Sequence, residues 1–205
     1  MQDLDVHVPL LGRFNASNAA AALAAGIALG IDRETIVRGL ESVGRVPGRL
    51  ERIEAGQPFQ VVVDYAHTPD ALRAALAAAR EHARERVLLV FGCGGDRDRA
   101  KRPLMGQAAE RGADRVWLTS DNPRSEDPRA IAADVLAAMK AGAAEVVLDR
   151  RAAIAAALGA AHPGDLVLVA GKGHETTQIV GGRVLPFDDR GVVQELLAGR
   201  SKGGR

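Results

Sequence analysis

The chain has 205 residues, which is enough for one full domain and a smaller appendage. Its 27 Lys and Arg residues balance 26 Asp and Glu residues, so no long-range field recruits nucleic acid or an anionic membrane. Hydrophobic residues make up 47% of the chain but aromatic residues only 3%, which favours helices packed on a parallel sheet over an aromatic-rich binding surface.

The cysteine content and the absence of long apolar runs bear on the compartment. Cys93 is the only cysteine, so the chain can form neither an internal disulfide nor a thiolate zinc site. No apolar run approaches the roughly 20 residues that span a bilayer, and the first residues lack the pattern of a secretion signal. We therefore expect a protein of the reducing cytoplasm, without membrane insertion.

The first segment, residues 1–46, is predicted to be helical. Residues 18–29 are almost entirely Ala, Leu, Ile and Gly, and Asp32 then opens an amphipathic stretch with Ile36, Val37 and Leu40 at helical spacing. Residues 44–49 combine two glycines and a proline, which ends the helix and indicates a linker. We place a domain boundary there, with a second domain at 47–205.

The second domain alternates short β-branched runs with Ala-rich helical stretches. Strands are predicted at 59–64, 87–92, 115–119, 145–149 and 165–170, and helices at 69–83, 102–111, 128–140 and 152–160. The tail 184–197 adds a short strand and a last helix. This alternation predicts a Rossmann-like α/β fold, with a mostly parallel sheet and helices on both faces.

Ligands of such sheets bind beyond the carboxyl ends of the strands, so the loops at that edge are the candidate site. The first strand ends in Asp64 and His67, followed by Thr68 and Pro69. Thr68 and Pro69 suit the start of a helix, so an ordinary helix cap is the alternative to a functional loop.

The loop after the second strand, 92–99, carries three glycines and two arginines and is followed by Lys101 and Arg102. Free backbone N–H groups and cations at a helix start predict an anion site. The loop is not a P-loop, because no Gly-Lys-Ser/Thr follows, and a flexible charged loop is the alternative. Cys93 has no evident base beside it and is interpreted as structural.

Two further loops complete the edge. Residues 121–124 read Asp-Asn-Pro-Arg, in which the proline presents the Asn amide and the Arg fork rigidly, as suits a carboxylate; a solvated Asn-Pro turn is the alternative. In 171–175, Lys172 lies between glycines that permit close approach of a ligand, and Glu175 can accept from an ammonium. Four polar loops at one edge favour a binding site. His7, His82 and His162 show no metal-ligand spacing, so no metal site is predicted.

Six motifs, in this order, resemble those of the Mur ligases, and the resemblance covers essentially the whole chain. They are Gly-Arg-Phe-Asn-Ala-Ser-Asn at 12–18, Pro-Gly-Arg-Leu-Glu at 47–51, Asp-Tyr-Ala-His-Thr-Pro at 64–69, Gly-Gly-Asp-Arg-Asp at 94–98, Asp-Asn-Pro-Arg at 121–124 and Gly-Lys-Gly-His-Glu at 171–175.

The resemblance implies an ATP- and Mg²⁺-dependent ligase that adds meso-diaminopimelate to UDP-MurNAc-L-Ala-D-Glu through an acyl phosphate. In that family a UDP-sugar domain and a central ATP-binding domain precede an amino-acid-binding domain. Residues 1–46 look like the end of the central domain, and 47–205 like the whole of the last one. The P-loop and the magnesium-binding carboxylate are absent from this sequence, so we expect the chain to be inactive alone.

The same resemblance assigns roles to individual residues. Asn15 and Asn18 are expected near the adenine of ATP, Arg49 near its γ-phosphate and Asp64 near its ribose, with Arg49 and Asp64 as the catalytic candidates and His67 nearby. The residues expected to hold diaminopimelate are Arg97, Asp121, Asn122, Arg124, Gly171 and Glu175. Arg124 is expected on the carboxylate of the distal centre.

Two alternatives remain open. The chain could be a stand-alone module that binds a diamino acid without chemistry, or part of another ligase of the superfamily, such as an L-lysine-adding enzyme, folylpolyglutamate synthetase or cyanophycin synthetase. For the last two, the acceptor loop should not read Asp-Asn-Pro-Arg. We also expect Leu23, Ile27 and Leu29 to be exposed and to favour self-association, because the first segment lacks its usual neighbours.

Overall fold

The computed structural model describes residues 5–202, so residues 1–4 of the predicted helical segment and 203–205 of the second domain lie outside the described part. The helices are α1 (Phe14–Ala28), α2 (Arg33–Glu41), α3 (Pro69–His82), α4 (Lys101–Gly112), α5 (Pro128–Leu136), α6 (Arg150–Ala160) and α7 (Asp189–Lys202). The strands are β1 (Glu51–Arg52), β2 (Gln60–Asp64), β3 (Val87–Phe91), β4 (Arg115–Leu118), β5 (Glu145–Val146), β6 (Leu166–Ala170), β7 (Thr177–Val180) and β8 (Arg183–Pro186).

Six strands form one sheet in the order β1-β2-β6-β3-β4-β5. All neighbours from β2 to β5 are parallel, and only β1 runs antiparallel, against β2. β6 lies at the centre, with Leu168 in register with both Val62 and Leu89. The predicted α/β fold with a mostly parallel sheet is confirmed.

Alternate side chains of the strands build a core on each face of the sheet. Leu89, Phe91 and Leu168 face one cluster, which α3, α4 and α5 cover. Leu88, Val90 and Trp117 face the other, which α6 and α7 cover. Helices therefore lie on both faces, as parallel strands buried on both sides require.

Several helix starts follow from capping residues in the sequence. The side chain of Thr68 accepts from the Ala71 N–H, and Pro69 occupies the first turn of α3. Asp32 and Asp149 cap α2 and α6 in the same way. The predicted helix 128–140 instead ends at Leu136, so Met139 lies beyond α5 rather than on its buried stripe.

Two features of the β structure were not predicted. The first is β1, an antiparallel strand of only two residues. The second is the separate antiparallel hairpin of β7 and β8, of which only β8 was expected. The predicted strand 145–149 is also shorter, because β5 ends at Val146. Edge strands this short leave little pattern in the sequence to detect.

α1 and α2 pack chiefly on each other. Ile36 is buried beneath Gly26, where an added Cβ would lie 2.8 Å from the Ile36 Cδ1 atom. Ile27 is 46% exposed and Leu29 79% exposed, as expected from the sequence. Leu23, which was also expected to be exposed, is half-buried. No helix within residues 5–202 is long and apolar enough to cross a membrane.

A fully buried ion pair joins α6 to α7. Arg150 donates from Nη2 to Asp189 Oδ2 at 2.7 Å and from Nε to Oδ1 at 2.8 Å, and neither side chain is exposed. The guanidinium also reaches the carbonyl oxygen of Ala170, at the end of β6. The last helix is thereby attached to the carboxyl edge of the sheet.

We predict that Arg150→Ala lowers the free energy of unfolding by about 3–5 kcal/mol, because it leaves the Asp189 carboxylate buried without a partner. The measurement is urea denaturation followed by the fluorescence of the single tryptophan, Trp117, which is buried. The neighbouring Arg151 pairs with Glu195 at the surface and serves as the control, with an expected cost below about 1 kcal/mol. Equal losses in the two variants would contradict the prediction.

Candidate functional site

The four polar loops converge on a cleft of about 450 Å³ at the carboxyl ends of β2, β3, β4 and β6. The cleft brings together all six residues predicted for the amino acid, and His67 also lines it. Its lining is Tyr65, His67, Thr68, Gly94, Arg97, Asp98, Lys101, Asp121, Asn122, Arg124, Gly171 and Glu175.

The backbone of Arg124 is held by hydrogen bonds to both its N–H and its carbonyl group. Its backbone is in the left-handed region, with φ of 53°, and its N–H donates to the Ile179 carbonyl at 3.0 Å. Its own carbonyl accepts from the Gly181 N–H at 2.7 Å, so the β7–β8 hairpin fixes this residue. A non-glycine residue persists in that conformation only when its surroundings impose it.

The guanidinium of Arg124 is positioned but not neutralised. Its Nη1 donates to the Gly95 carbonyl at 2.7 Å, and no carboxylate of residues 5–202 lies within 4.0 Å of it. Arg97 on the rim is likewise without an ion-pair partner in this range, and Lys101 donates to the His67 carbonyl. The cleft thus carries cations suited to an anionic group of a ligand.

Glu126 organises the loop after β3. It accepts from the Asp96 N–H at 2.6 Å and from Arg102, whose side chain is completely buried, at 2.8 Å. Hydrogen bonds from Arg102, Asp96 and Arg99 lower the pKa of Glu126 to about 2, so this anchor stays ionised across the neutral range. The loop that carries Arg97 is fixed at both ends as a result.

The floor of the cleft is acidic. Glu175 Oε2 accepts from Asn122 Nδ2 at 2.9 Å and from Lys172 Nζ at 3.0 Å. Burial raises the pKa of Glu175, but these two hydrogen bonds and the charges of Lys172 and Arg124 together outweigh burial, and the net pKa lies below its usual value. Oε1 has no hydrogen-bond donor among the described residues. Glu175 is therefore a carboxylate with one oxygen left to accept from an ammonium.

Asp121 lies beside this floor and is more deeply buried. Burial raises the pKa of Asp121 above its ordinary value, although Arg150 and Lys172 oppose that shift. Its Oδ1 has no hydrogen-bond partner within the described part of the chain. A buried acceptor without a donor is costly, and the Lys172 ammonium, 3.7 Å away, compensates its charge in part.

Asp64 connects the linker to the sheet. Its Oδ2 accepts from the Leu50 N–H at 2.8 Å and its Oδ1 from the Ala66 N–H at 2.9 Å. Burial raises the pKa of Asp64, and both backbone hydrogen bonds counteract it. Both oxygens are thus engaged in holding the backbone, and Asp64 does not line the cleft.

An aromatic cluster separates the linker from the cleft. The ring of Tyr65 lies 4.5 Å from that of His67 and 5.1 Å from that of His174, centroid to centroid. The exposed guanidinium of Arg49 lies 5.2 Å from the Tyr65 ring centroid, in a cation–π contact. Arg49 therefore lies beside the cleft rather than in it.

The two asparagines of the first segment are apart from the cleft. Asn15 Nδ2 donates to the Leu11 carbonyl at 2.6 Å, and Asn18 Nδ2 donates to Asn15 Oδ1 at 3.2 Å. Both lie on α1, with Asn15 buried and Asn18 exposed. Among the residues expected near a nucleotide, His67 lines the cleft, whereas Asn15, Asn18, Arg49 and Asp64 lie outside it.

The pattern of the sequence did not single out every residue of the site. Tyr65, Thr68, Asp98 and Lys101 line the cleft but were not among the predicted site residues, and Lys172 lies beneath it. Glycines on both sides of Lys172 were the available signal. Cys93, which follows β3, is buried, and burial raises its pKa to about 12, as expected for a structural rather than a nucleophilic cysteine.

Comparison with known proteins identifies relatives along the whole chain. A family model described as Mur ligase, glutamate ligase domain matches residues 48–173. A UDP-N-acetylmuramoyl-L-alanyl-D-glutamate--2,6-diaminopimelate ligase from Solibacter usitatus is 52% identical over 200 residues, covering 97% of this chain and 40% of the relative. The chain spans about 40% of the length of such relatives.

Solved structures agree with this. The structure of a UDP-N-acetylmuramoyl-L-alanyl-D-glutamate--2,6-diaminopimelate ligase superimposes with a TM-score of 0.75 and 44% identity, over 96% of this chain and 40% of that one. A folylpolyglutamate synthase from Mycobacterium tuberculosis, solved with ADP and AMPPCP, has the same fold, with a TM-score of 0.67 and 24% identity over 98% of this chain and 42% of that one.

We predict that Gly171→Ala lowers the free energy of unfolding by about 1–3 kcal/mol, because its φ of 120° is strained for any residue with a Cβ. The new methyl would also lie 3.3 Å from Asp121 Oδ2. Urea denaturation measures the effect. In the control, Gly159→Ala, nothing lies within 4 Å of the new Cβ in α6, and a gain of about 0.5–1 kcal/mol is expected. An unchanged Gly171→Ala protein would contradict the strain.

Proposed function

This chain belongs to the Mur ligase family, and we propose that it is the amino-acid-binding part of an ATP-dependent ligase that adds meso-diaminopimelate to UDP-MurNAc-L-Ala-D-Glu. The observation that carries the proposal is that the cleft contains both a cation and a carboxylate oxygen that are still free to bind a ligand. Arg124 offers a guanidinium without a carboxylate partner, and Glu175 offers a carboxylate oxygen without a donor. One amino-acid centre, with its carboxylate and its ammonium, satisfies both groups.

The substrate assignment gives the two ends of diaminopimelate different surroundings. We place the distal carboxylate on Arg124 and Asn122 and the distal ammonium on Glu175, with Arg97 on the rim and Asp121 and Gly171 shaping the pocket. The other amino group then remains free at the mouth of the cleft to act as a nucleophile. Holding it beside the electrophile is the contribution of this chain to the rate.

In the proposed reaction, ATP transfers its γ-phosphoryl group to the γ-carboxylate of the D-glutamyl residue. The free amine of diaminopimelate attacks the resulting acyl phosphate, the amide C–N bond forms, the amine loses a proton, and inorganic phosphate leaves. Arg49, exposed and without an ion-pair partner in the described range, is suited to contact the phosphates. His67 would lie between the two substrates.

The other residues expected near the nucleotide would contribute to the ATP site less directly. Asn15 and Asn18 carry amides that would face the adenine. Since both oxygens of Asp64 already accept backbone N–H groups, we propose that Asp64 serves the nucleotide by holding Leu50, and with it the neighbouring Arg49, in place.

The described part of the chain supplies no ready cluster of side chains for magnesium. No group of three His, Cys, Asp or Glu side chains within residues 5–202 could hold a metal ion. We therefore propose that residues outside this sequence hold Mg²⁺, whose chemistry is to neutralise phosphate charge.

The two alternatives differ from this proposal in measurable ways. A stand-alone binding module would bind the diamino acid but have no partner that activates a carboxylate. An L-lysine-adding ligase would not need a guanidinium for a distal carboxylate. A folylpolyglutamate synthetase adds glutamate, which has a second carboxylate but no second ammonium for Glu175 to accept. The unpaired charge of Arg124 favours a substrate that carries a distal carboxylate.

We predict that this chain binds meso-diaminopimelate more tightly than L-lysine, since lysine leaves the Arg124 fork and the second N–H of the Asn122 amide without a partner, a penalty of up to roughly 10⁴-fold. Arg124→Ala should cost about 2–5 kcal/mol of diaminopimelate binding while lysine binding changes little. Arg124→Lys keeps the charge but not the fork and should also be impaired.

Isothermal titration calorimetry of the chain with both amino acids measures these effects, and Arg129→Ala, an exposed position on α5, is the control. Equal losses for diaminopimelate and lysine in Arg124→Ala would show that Arg124 supports the loop without contacting the substrate. Lysine bound as tightly as diaminopimelate by the unmodified chain would refute the substrate assignment.

We predict further that the purified chain alone neither hydrolyses ATP nor forms amide bonds, because this sequence contains no P-loop to position the phosphates. A phosphate-release assay with ATP, Mg²⁺, UDP-MurNAc-L-Ala-D-Glu and meso-diaminopimelate measures this. Steady release that depends on diaminopimelate would contradict the prediction.

A further inference from the structure

We propose that Lys172 is a positioning residue for the amino-acid substrate, whose ammonium orients the Asn122 amide and the Glu175 carboxylate without contacting the substrate itself. The inference rests on the proposed function of the cleft. Lys172 has no exposed surface, although it lies between two glycines in a surface loop. A lysine buried this completely requires partners, because transfer of a charged group out of water is costly.

The partners of Lys172 are the polar groups of the cleft floor. Its Nζ donates to Asn122 Oδ1 at 3.0 Å and to Glu175 Oε2 at 3.0 Å, and it lies 3.7 Å from Asp121 Oδ1. Two loops that follow different strands thus meet at one nitrogen atom. Lys172 is not among the residues that line the cleft, so its influence on a ligand passes through these partners.

The orientation of the Asn122 side chain follows from these contacts. Its Oδ1 receives Lys172 Nζ and the Ile179 N–H, which can only donate, while its Nδ2 faces Glu175 Oε2, which accepts. If the amide were flipped, its NH₂ group would face the Lys172 ammonium, and its oxygen would face the Glu175 carboxylate. Lys172 and the Ile179 N–H therefore determine together which end of the amide faces Glu175.

Lys172 also sets the charge of the floor. The charge of Glu175 disfavours ionisation of Asp121, and Lys172 is the cation that favours ionisation of both, together with Arg150 for Asp121 and Arg124 for Glu175. Glu175 accepts a substrate ammonium only when it is ionised. Without Lys172, the remaining charged groups that act on Glu175 and Asp121 are Arg124 from the β4 loop, Arg150 from α6 and Asp189 from α7.

The test compares Lys172→Met, which keeps the shape of the side chain and removes the ammonium, with Lys172→Gln, which keeps an N–H donor without charge. Titration calorimetry should show meso-diaminopimelate binding weakened by about 10- to 100-fold in Lys172→Met and less in Lys172→Gln. Lys140→Met, an exposed position, is the matched control and should bind as the unmodified chain does. Urea denaturation establishes that each variant is folded.

The pH profile separates positioning from mere support of the fold. Between about pH 8 and pH 5, binding to the unmodified chain should change little, whereas binding to Lys172→Met should weaken as the pH falls, because Glu175 takes up a proton more readily without its cation. Unchanged affinity in Lys172→Met, or a loss with no added pH dependence, would overturn the proposal. If Lys172→Met does not fold, Lys172→Gln provides the same comparison.

A separate readout does not depend on the ligand. The side-chain NH₂ resonances of Asn122, assigned by their absence in Asn122→Ala, should exchange slowly with solvent in the unmodified chain and faster in Lys172→Met and Lys172→Gln. If the unmodified chain fails to bind meso-diaminopimelate, the proposed function of the cleft fails. The Asn122 resonances then still decide on Lys172, and identical exchange rates in all forms would refute its positioning role.

Discussion

The buried guanidinium of Arg150 is the interaction on which the carboxyl edge of the sheet depends. It donates to Asp189 at the start of α7, to the Ala170 carbonyl at the end of β6 and, at 3.5 Å, to the Ser120 carbonyl after β4. Asp121 and Gly171 follow those two carbonyls directly in the chain. Arg150 therefore holds the starting points of two loops of the cleft at a constant separation. Because this cation can be buried only together with the Asp189 carboxylate, the site also requires α7, the last helix.

In the cleft at this edge, positive and negative side chains lie at different depths. Arg97, Lys101 and Arg124 lie at the rim or walls, whereas Asp121 and Glu175 lie at the floor, with Lys172 beneath them. Most of these charges are fixed by backbone or side-chain partners before any ligand arrives, such as Arg124 by Gly95 and the hairpin and Glu175 by Asn122 and Lys172. Preorganised polar groups need no rearrangement on binding, so a zwitterionic centre can be recognised in both orientation and charge.

The sequence predicts the parts of this arrangement that depend on local pattern. β-Branched runs located the five parallel strands to within a few residues, and Thr68 and Asp32 identified helix starts, because a cap and its helix lie within four residues of each other. Asp149, expected at the end of a strand, instead caps α6. The loops could be placed at one edge since parallel strands end there. What could not be predicted depends on partners distant in the chain, namely the β7–β8 hairpin that holds Arg124, the Glu126 anchor of the β3 loop and the 14-residue separation between Leu50 and Asp64. Residue type gives no indication of such pairings.

Gly48 in the linker contacts the backbone of the loop after β6 without any side chain between them. A Cβ on Gly48 would lie 2.1 Å from the His174 nitrogen, and one on Gly173 would lie 2.7 Å from the Gly48 oxygen. Because two peptide backbones in van der Waals contact cannot interpenetrate, a movement of the linker toward the sheet must also displace residues 173–175, including Glu175. The position of the linker and the geometry of the cleft are therefore mechanically coupled, and a substitution that adds bulk at Gly48 would disturb both.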